Sequence, residues 1–444
     1  MKSPSEKPAG NCAHPRHWRK RSTRRILAGL AAGALSAGLL AACSSSSSGG
    51  TGGSASSGGS GSTYTIHAIL AVTGSNAFLG DDEKASLQSL QKLVNSSGGI
   101  DGHPVNFAIS DNQSTAATSV SLASPLLSQV PVLIVGSATA TDRPVDQLAT
   151  SGSPVIYDLS PGDHPAVGSA VYSASNSTTN QTLAFANFAK AKGWSRVAAI
   201  TSTDSSGQDG WTNINAAVQG TGGAVSVTSH QTFDPTAVSV TTQLSKIKAT
   251  NPQAIFIWTT GTPLTTVLAG MQQLGMSGIP VLTSNGNESY KQMQSLGSQL
   301  PDQVYFPSSQ FRLSGSALSA TASTLVSQFN TAMKGAGQPV PDEGDALVWD
   351  PALLIINALK KLGVGATAEQ IHQYISAQSD YVGISGTYDF TSKAQKDNRG
   401  LTIQSVYVTQ WDKSKGDWVQ ASGPAGTSLV SPSGSASASA SASS

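Results

Sequence analysis

Short apolar runs and amphipathic segments alternate along most of the chain. Residues 64–72 are rich in strand-forming side chains, residues 82–95 place leucine and valine on one face of a helix, and residues 105–109 alternate between apolar and polar. The same pattern predicts further strands at 130–136, 154–157, 196–201, 254–259, 279–283 and 401–411, and further helices at 181–192, 240–247, 264–274 and 345–362. Short apolar strands separated by helices are typical of a parallel sheet covered on both faces. The strands are too many for one ordinary sheet, so the pattern predicts more than one α/β unit.

The amino-terminal segment has the organisation of a secretory signal. Of the 26 basic and 25 acidic residues in this 444-residue chain, eight basic and one acidic lie in residues 1–25. Residues 26–42 are uncharged and rich in Leu, Ala and Gly, and they are short for a membrane-spanning helix. We therefore predict a signal peptide at residues 1–42. The paired Arg24 and Arg25 leave both the general secretory and the twin-arginine export route open.

The last residues of this segment, Leu40-Ala41-Ala42-Cys43, resemble a bacterial lipobox. The resemblance implies that the Cys43 thiol carries a diacylglyceryl group and that the signal is cut before it. Two or more acyl chains would hold the protein on the extracytoplasmic face of the cell membrane. The alternative is an ordinary signal peptide that contains a cysteine. With Cys43 lipidated and Cys12 removed, the mature chain has no thiol for a disulfide or a thiolate metal site.

Two low-complexity segments flank the body of the chain. Residues 43–63 consist of Cys43 followed by little except Ser and Gly, and residues 425–444 end in Ser-Ala repeats. Neither segment has enough apolar surface to offset the entropy of ordering. We predict a flexible tether between lipid and domain at the first, and a disordered tail at the second.

Charge and motif content exclude several function classes. Outside residues 1–25 the chain carries 18 basic and 24 acidic side chains, which gives no electrostatic footprint for nucleic acid. The sequence contains no Gly-x-Ser-x-Gly elbow, His-Glu-x-x-His pair, Cys-x-x-Cys motif or Gly-Lys-Ser/Thr phosphate loop. The histidines beyond the leader lack ligand spacing: His67, His103, His164, His230 and His372. We therefore predict neither an enzyme nor a bound cofactor, metal or nucleic acid.

Several turn and strand-end motifs follow one another between residues 64 and about 420. The most specific run consists of Val72-Thr73-Gly74, Gly80, Val94-Asn95, Gly98-Gly99-Ile100-Asp101-Gly102-His103-Pro104-Val105 and Asp111-Asn112. It is followed by Gly207, Phe233-Asp234, Asn251-Pro252, Leu274-Gly275, Trp349-Asp350-Pro351-Ala352 and the turn at 383–390. In this order the motifs resemble the leucine/isoleucine/valine-binding proteins, which are substrate-binding components of bacterial ABC importers.

The resemblance implies an α/β fold of two doubly wound parallel-sheet lobes joined by a three-segment hinge, the type I periplasmic binding fold. Lobe one would comprise residues 64–177 and 310–382, and lobe two residues 178–309 and 383–424. Such a protein would capture an amino acid, or a related carboxylic acid or amide, by lobe closure and deliver it to ABC permease subunits. Two alternatives stay open, a sensory receptor that uses the same closure and a secreted hydrolase.

For lobe one, the resemblance implies hydroxyl and backbone donors that hold a ligand carboxylate. The matching loops here follow predicted strands and contain Ser137, Thr139 and Ser160. The alternative role of such hydroxyls is to cap the next helix. The consecutive serines common in this loop are absent, which argues against an α-amino acid as the ligand.

For lobe two, the resemblance implies a ring that covers the ligand and an acid that pairs with its ammonium group. Ser206 stands where an aromatic residue is usual, and Asn285 where an acid is usual. Asp204 or Glu288 would have to replace that acid, although each also fits a solvated loop carboxylate. Further candidates are Phe78, which would stack on the ligand or plug a core, and Trp258, whose default is packing within its strand.

Overall fold

The computed structural model describes residues 61–313, 317–393, 395 and 397–429. The predicted signal peptide, the predicted lipidation site Cys43, the tether up to residue 60 and the tail from residue 430 lie outside the described residues. Among the described residues, no helix combines the length and the apolar character that a membrane span requires.

The first sheet has five parallel strands in the order β2-β1-β3-β4-β5. Its elements are β1 (Tyr64–Leu70), α1 (Ala77–Ser96), β2 (Val105–Asp111), α2 (Ala116–Leu126), β3 (Val132–Val135), α3 (Thr139–Asp146), β4 (Val155–Asp158) and β5 (Val171–Ser173). Each connection from one strand to the next up to β4 contains a helix, as parallel pairing requires.

The second sheet has seven strands in the order β14-β13-β10-β9-β8-β6-β7. Its elements up to β10 are α4 (Thr178–Ala191), β6 (Arg196–Ser202), α5 (Ser205–Gln219), β7 (Ser226–Phe233), α6 (Thr241–Lys248), β8 (Ala254–Trp258), α7 (Thr262–Gln273), β9 (Val281–Thr283), α8 (Tyr290–Leu296) and β10 (Val304–Ser308). Strands β6 to β10 repeat the strand order of the first sheet. The antiparallel pair β13 (Tyr407–Asp412) and β14 (Asp417–Gln420) extends the β10 edge.

Between β10 and β13 the chain returns to the first sheet. This segment contains α9 (Ala320–Gly335), α10 (Glu343–Leu362), α11 (Ala368–Ser376), β11 (Tyr381–Val382) and β12 (Thr387–Tyr388). Helix α10 begins with a capping box, in which Asp342 and Asp345 each accept a hydrogen bond from the other's backbone N–H. It then packs against α1. The chain therefore passes between the two sheets three times, after β5, after β10 and before β13.

Strand β8 shows why a continuous apolar run forms a strand here. Ile255 and Ile257 pack into one core of the second sheet, and Ala254, Phe256 and Trp258 pack into the core on its other face. Successive strand residues point to opposite faces, so a central strand covered on both sides needs apolar residues at every position. The two parallel-sheet lobes of the predicted α/β class are confirmed.

Two predicted boundaries differ from the structure. Ile384, Tyr388 and Phe390 lie in the core of the first sheet, although residues 383–424 were assigned to lobe two. The strand pattern around these three residues is short, and β11 and β12 pair only with each other. The sequence therefore does not indicate which of the two large sheets this segment packs against. A disordered tail was predicted from residue 425, but Ala425 is buried. Its carbonyl accepts a hydrogen bond from the side chain of Asn187 on α4 at 3.0 Å.

Candidate functional site

The repeated strand order creates one crevice in each lobe. In a 2-1-3-4-5 sheet the connections after the first and third strands run to opposite faces, so their loops diverge at the carboxyl edge. These switch points lie between β1 and β3 in the first sheet, and between β6 and β8 in the second. A ligand is therefore expected where the two carboxyl edges meet.

A small cavity lies at this meeting point and is lined from both lobes. Its volume is about 10 Å³, the space of about one water molecule. The lining residues are Leu79, Ser137, Ala138, Thr139, Pro161, Thr178, Ser206, Trp258, Thr260, Ser284, Gly286 and Leu347. Hydroxyl groups and apolar side chains thus make up nearly the whole wall.

On the lobe one side, the loops after β3 and β4 place three hydroxyls close together. The Thr139 Oγ1 and Ser160 Oγ atoms lie 2.5 Å apart, and both side chains are buried. The Ser137 Oγ atom accepts a hydrogen bond from the Ala71 N–H at 3.2 Å and also contacts the carboxyl group of Glu83. Ser137 and Thr139 line the cavity, while Ser160 supports Thr139 from behind.

Glu83 on α1 is fully buried beneath this loop. Burial raises the pKa of its carboxyl group well above the ordinary value, opposed by the hydrogen bond from Ser137 and reinforced by the charges of Asp142 and Asp82. One carboxyl oxygen makes no hydrogen bond with any described residue. Burial therefore disfavours the charged form of Glu83 next to the cavity.

Three buried aspartates lie behind the same loops. Asp142, Asp158 and Asp163 each place one carboxylate oxygen within 4.8 Å of the others, and burial raises the pKa of all three. Asp163 pairs with Arg143 at 2.9 Å, and Asp158 accepts a hydrogen bond from the Ser160 N–H at 2.6 Å. Carboxylates at this spacing suit a divalent cation, but here Asp163 already contacts the Arg143 guanidinium group. Their visible effect is to hold the Ser160 loop.

A second aspartate cluster joins the lobes. Asp82, Asp342 and Asp345 also lie within the spacing of cation ligands. Lys291 on α8 reaches from the second lobe to place its Nζ atom 2.8 Å from Asp82. This cluster too is partly neutralised by a side chain of the protein itself.

Arg399 is a fully buried residue that sequence reasoning missed. Its guanidinium donates to the Asp397 carboxylate at 3.1 Å and to four backbone carbonyls, those of Ser160 at 3.5 Å, Pro161 at 3.3 Å, Ala174 at 2.6 Å and Asp163. It therefore contacts the backbone of the loop after β4 at several positions. A single arginine in a polar loop gives no signal of this role, because its carbonyl partners lie more than 200 positions earlier.

On the lobe two side, Ser206 and Trp258 line the cavity. Trp258 ends β8 and is buried beside α5, where Gly210 makes room for its ring. A Cβ atom at Gly210 would lie 2.0 Å from the Trp258 Cδ1 atom. The closeness of helix and ring thus requires glycine at this position.

Phe78, Asp204 and Asn285 do not line the cavity. The Asp204 carboxylate caps α5 by accepting hydrogen bonds from the Gly207 N–H at 3.0 Å and from the Ser202 hydroxyl at 2.7 Å. Asn285 donates to the Ser175 hydroxyl at 2.9 Å. The structure brings five of the eight candidates, Ser137, Thr139, Ser160, Ser206 and Trp258, to the cavity or against it. A role in ligand binding stays a prediction for all eight.

Glu288, the other candidate acid, is committed to a buried ion pair. Its Oε1 atom lies 2.7 Å from the Arg312 Nε atom, and its other oxygen accepts a hydrogen bond from Ser308 at 2.5 Å. Arg312 lies over the rings of Phe311 and Trp418, with its Cζ atom 4.6 and 4.1 Å from their centroids. Glu288 is therefore already paired with Arg312 and is not available to pair with a ligand ammonium group.

A larger surface groove of about 890 Å³ lies beside the cleft. Its wall includes His164, which is 3.1 Å from Asp209 on α5. Burial lowers the pKa of His164, but hydrogen bonds to Asp209 and Asp397 outweigh this and raise it to about 9. The groove runs along the outer edge of the first sheet. Because it is not at a switch point of either sheet, the small cavity is the stronger candidate for the ligand site.

Comparison with known proteins agrees with this geometry. Two sheets whose five parallel strands share one order, with a cavity lined from both, define a two-lobed α/β ligand-binding protein. The family model described as "Periplasmic binding protein" matches residues 63–417. The chain belongs to the periplasmic binding proteins of type I, and the resemblance found in the sequence is confirmed. No curated protein matches the sequence.

Solved structures show the same fold at low sequence identity. The branched-chain amino acid transporter substrate-binding protein LivJ from Streptococcus pneumoniae, in complex with isoleucine, is 17% identical, with a TM-score of 0.65 over 81% of this chain and 99% of its own. The leucine-binding protein LivK from Thermotoga maritima is 19% identical, with a TM-score of 0.67 over 81% and 98%. A fatty acid ABC transporter substrate-binding protein from Thermomonospora curvata is 16% identical, with a TM-score of 0.67 over 82% and 92%. The family consists of ligand-binding proteins rather than enzymes.

Proposed function

We propose that this protein is the membrane-anchored, extracytoplasmic substrate-binding protein of an ABC importer, which captures an amino acid or a similar small polar ligand by lobe closure. The observation that carries the proposal is the cavity at the carboxyl edges of both sheets, lined by Ser137 and Thr139 from one lobe and Ser206 and Trp258 from the other. Hydroxyls and an indole ring suit an amphipathic molecule with one polar end.

Entry of such a ligand requires the lobes to separate. A cavity of about 10 Å³ holds no amino acid, so the walls must part and then close again. The Lys291–Asp82 pair joins the lobes, but the Lys291 side chain is 42% exposed. Solvent can therefore hydrate the Lys291 end of the pair when the lobes part, while Asp82 is 1% exposed. Ligand contacts made only in the closed form would then supply the free energy of closure.

The ligands named for the solved structures support an amphipathic ligand here. Isoleucine in the LivJ complex and the fatty acid of the Thermomonospora protein both join a carboxylate to an aliphatic chain. The cavity likewise combines hydroxyls with apolar walls such as Leu79, Pro161 and Leu347.

A thermal-shift screen of amino acids, carboxylic acids and amides tests the proposal. A ligand present at a hundredfold excess over Kd should stabilise the protein by about 2.7 kcal/mol. Thr139→Val should then weaken binding by about 1–3 kcal/mol, because the ligand loses a hydrogen bond in a site shielded from water. Thr331→Val, on the exposed face of α9, is the matched control and should bind as the unmodified protein does. Turnover of a compound without any stabilisation would contradict the proposal.

Anchoring is tested at Cys43. Cys43→Ser should abolish labelling by a fatty-acid analogue and release the protein from the membrane fraction, because the thioether link is lost. Cys12→Ser is the matched control, since Cys12 belongs to the segment expected to be removed. Equal labelling of Cys43→Ser and the unmodified protein would refute lipidation at this residue.

A further inference from the structure

The wall of the cavity contains no charged side chain among the described residues that line it. The polar groups there are hydroxyls: Ser137, Thr139, Thr178, Ser206, Thr260 and Ser284. Three acids near the cleft contact other groups of the protein. Asp204 caps α5, Glu288 pairs with Arg312, and Glu83 is covered by Ser137.

This arrangement disfavours a ligand ammonium group. A buried ammonium needs a carboxylate or several acceptors, and without a partner its charge is destabilised by loss of hydration. The acceptors available in the wall are neutral hydroxyl oxygens, and several of these already hold hydrogen bonds. Ser137 accepts one from Ala71, and the Thr139 and Ser160 hydroxyls are paired with each other.

The same arrangement favours a carboxylate. Within the Thr139–Ser160 pair one hydroxyl donates to the other, which leaves one proton free for a ligand. The Ser206 hydroxyl makes no hydrogen bond with any described residue, so it is a further donor. Thr139 and Ser206 also lie in the first turns of α3 and α5, where the helix dipoles favour negative charge.

Glu83, beneath the loop, is compatible with this arrangement. The Ser137 hydroxyl donates to the Glu83 carboxyl group, so the hydroxyl donors left for a ligand are those of Thr139 and Ser206. Burial disfavours the charged form of Glu83, which reduces the negative charge behind a bound carboxylate.

We infer that the ligand of this cleft is a small aliphatic or aromatic carboxylate that lacks an α-ammonium group. The inference rests on the proposed function, because it assigns the ligand class of the same site. The carboxylate would meet Thr139 and Ser206, while the apolar part would lie against Trp258 and Leu347.

Titration calorimetry on the full chain with matched ligand pairs tests this class. The pairs are 4-methylpentanoate with leucine, hexanoate with norleucine, and 3-phenylpropanoate with phenylalanine. Each pair keeps the side chain and differs only in the ammonium group. We expect at least one carboxylate to bind roughly tenfold or more tightly than its amino acid. The amide 4-methylpentanamide should bind more weakly than 4-methylpentanoate.

The outcomes separate this inference from the proposed function. An amino acid that binds as tightly as its partner overturns the ligand class but supports a substrate-binding protein. A preference for the amide overturns the carboxylate while leaving the function intact. Absence of binding by all seven probes counts against the proposed function itself, and the inference falls with it.

A variant that supplies the missing acid gives an independent check. Ser206→Asp introduces a carboxylate into the wall at a helix position that tolerates acids, and it should shift the preference toward the amino acid of each pair by roughly tenfold. Ser206→Ala is the matched control and should keep the original order of preference. A Ser206→Asp protein with unchanged melting temperature and unchanged preference would overturn the inference.

Discussion

Replacing Arg399 by methionine should lower the free energy of unfolding by about 3–5 kcal/mol. The substitution removes the guanidinium partner of the Asp397 carboxylate and the Arg399 donors to the Ala174 and Asp163 carbonyls. The Ser160 and Pro161 carbonyls also lose a bond from Arg399, but they keep donors in the Ser173 hydroxyl and the Thr178 N–H. These groups are away from water, so each lost hydrogen bond is not replaced by hydration. Urea denaturation followed by circular dichroism measures the loss.

The matched control for this prediction is Arg196→Met. Arg196 is exposed at the start of β6 and donates only to the Asn251 carbonyl at 3.3 Å. Its loss should change stability by roughly 0.5 kcal/mol or less. A loss below about 1 kcal/mol for Arg399→Met would show that the loop after β4 holds its conformation without this residue.

Removing Arg312 should have an effect of similar size at a different place. Arg312→Met leaves the fully buried Glu288 without its ion partner, and we expect a loss of about 3–5 kcal/mol at neutral pH. Burial already raises the pKa of Glu288, and the Arg312 charge opposes that rise. In the variant the folded-state pKa rises further. The folded state then binds a proton more readily than the unfolded state does, so stability falls as pH increases.

A double-mutant cycle tests this interpretation. Arg312→Met combined with Glu288→Gln should recover much of the loss, because no unpaired charge remains buried. The single Arg312→Met variant should also be less destabilised at pH 5 than at pH 8. If the double variant is no more stable than Arg312→Met alone, the ring contacts of Arg312 with Phe311 and Trp418 carry the stability instead.

Much of the fold was predictable because its signals are local. Strand β8 is apolar at every position, and this pattern follows directly from burial on both faces. Helix α10 begins at a capping box whose two aspartates are three residues apart. The predicted strand at 401–411 begins only at Tyr407, because a short helical turn occupies 403–405. Apolar alternation indicates an extended segment but does not show where pairing begins.

The candidate site was less predictable, because the same residue types serve two roles. Asp204 and Ser206 both lie at the start of α5, yet Asp204 caps the helix and Ser206 lines the cavity. The local sequence allows each of these two residues to cap the helix or to line a ligand site, since residues in both roles follow a strand. Only the direction of the helix relative to the opposite lobe separates them.

The α/β class, the repeated units and the loops that line the cavity could be inferred from the sequence, because periodicity and turn chemistry depend on near neighbours. Which groups meet across long separations could be read only from the folded chain. Arg399 donates hydrogen bonds to carbonyls between residues 160 and 174, and Glu83 on α1 contacts Ser137 in the loop after β3. Such long-range contacts produce no periodic pattern in the sequence. They exist because the strand order brings distant loops to one carboxyl edge, where burial then sets the charge of each group.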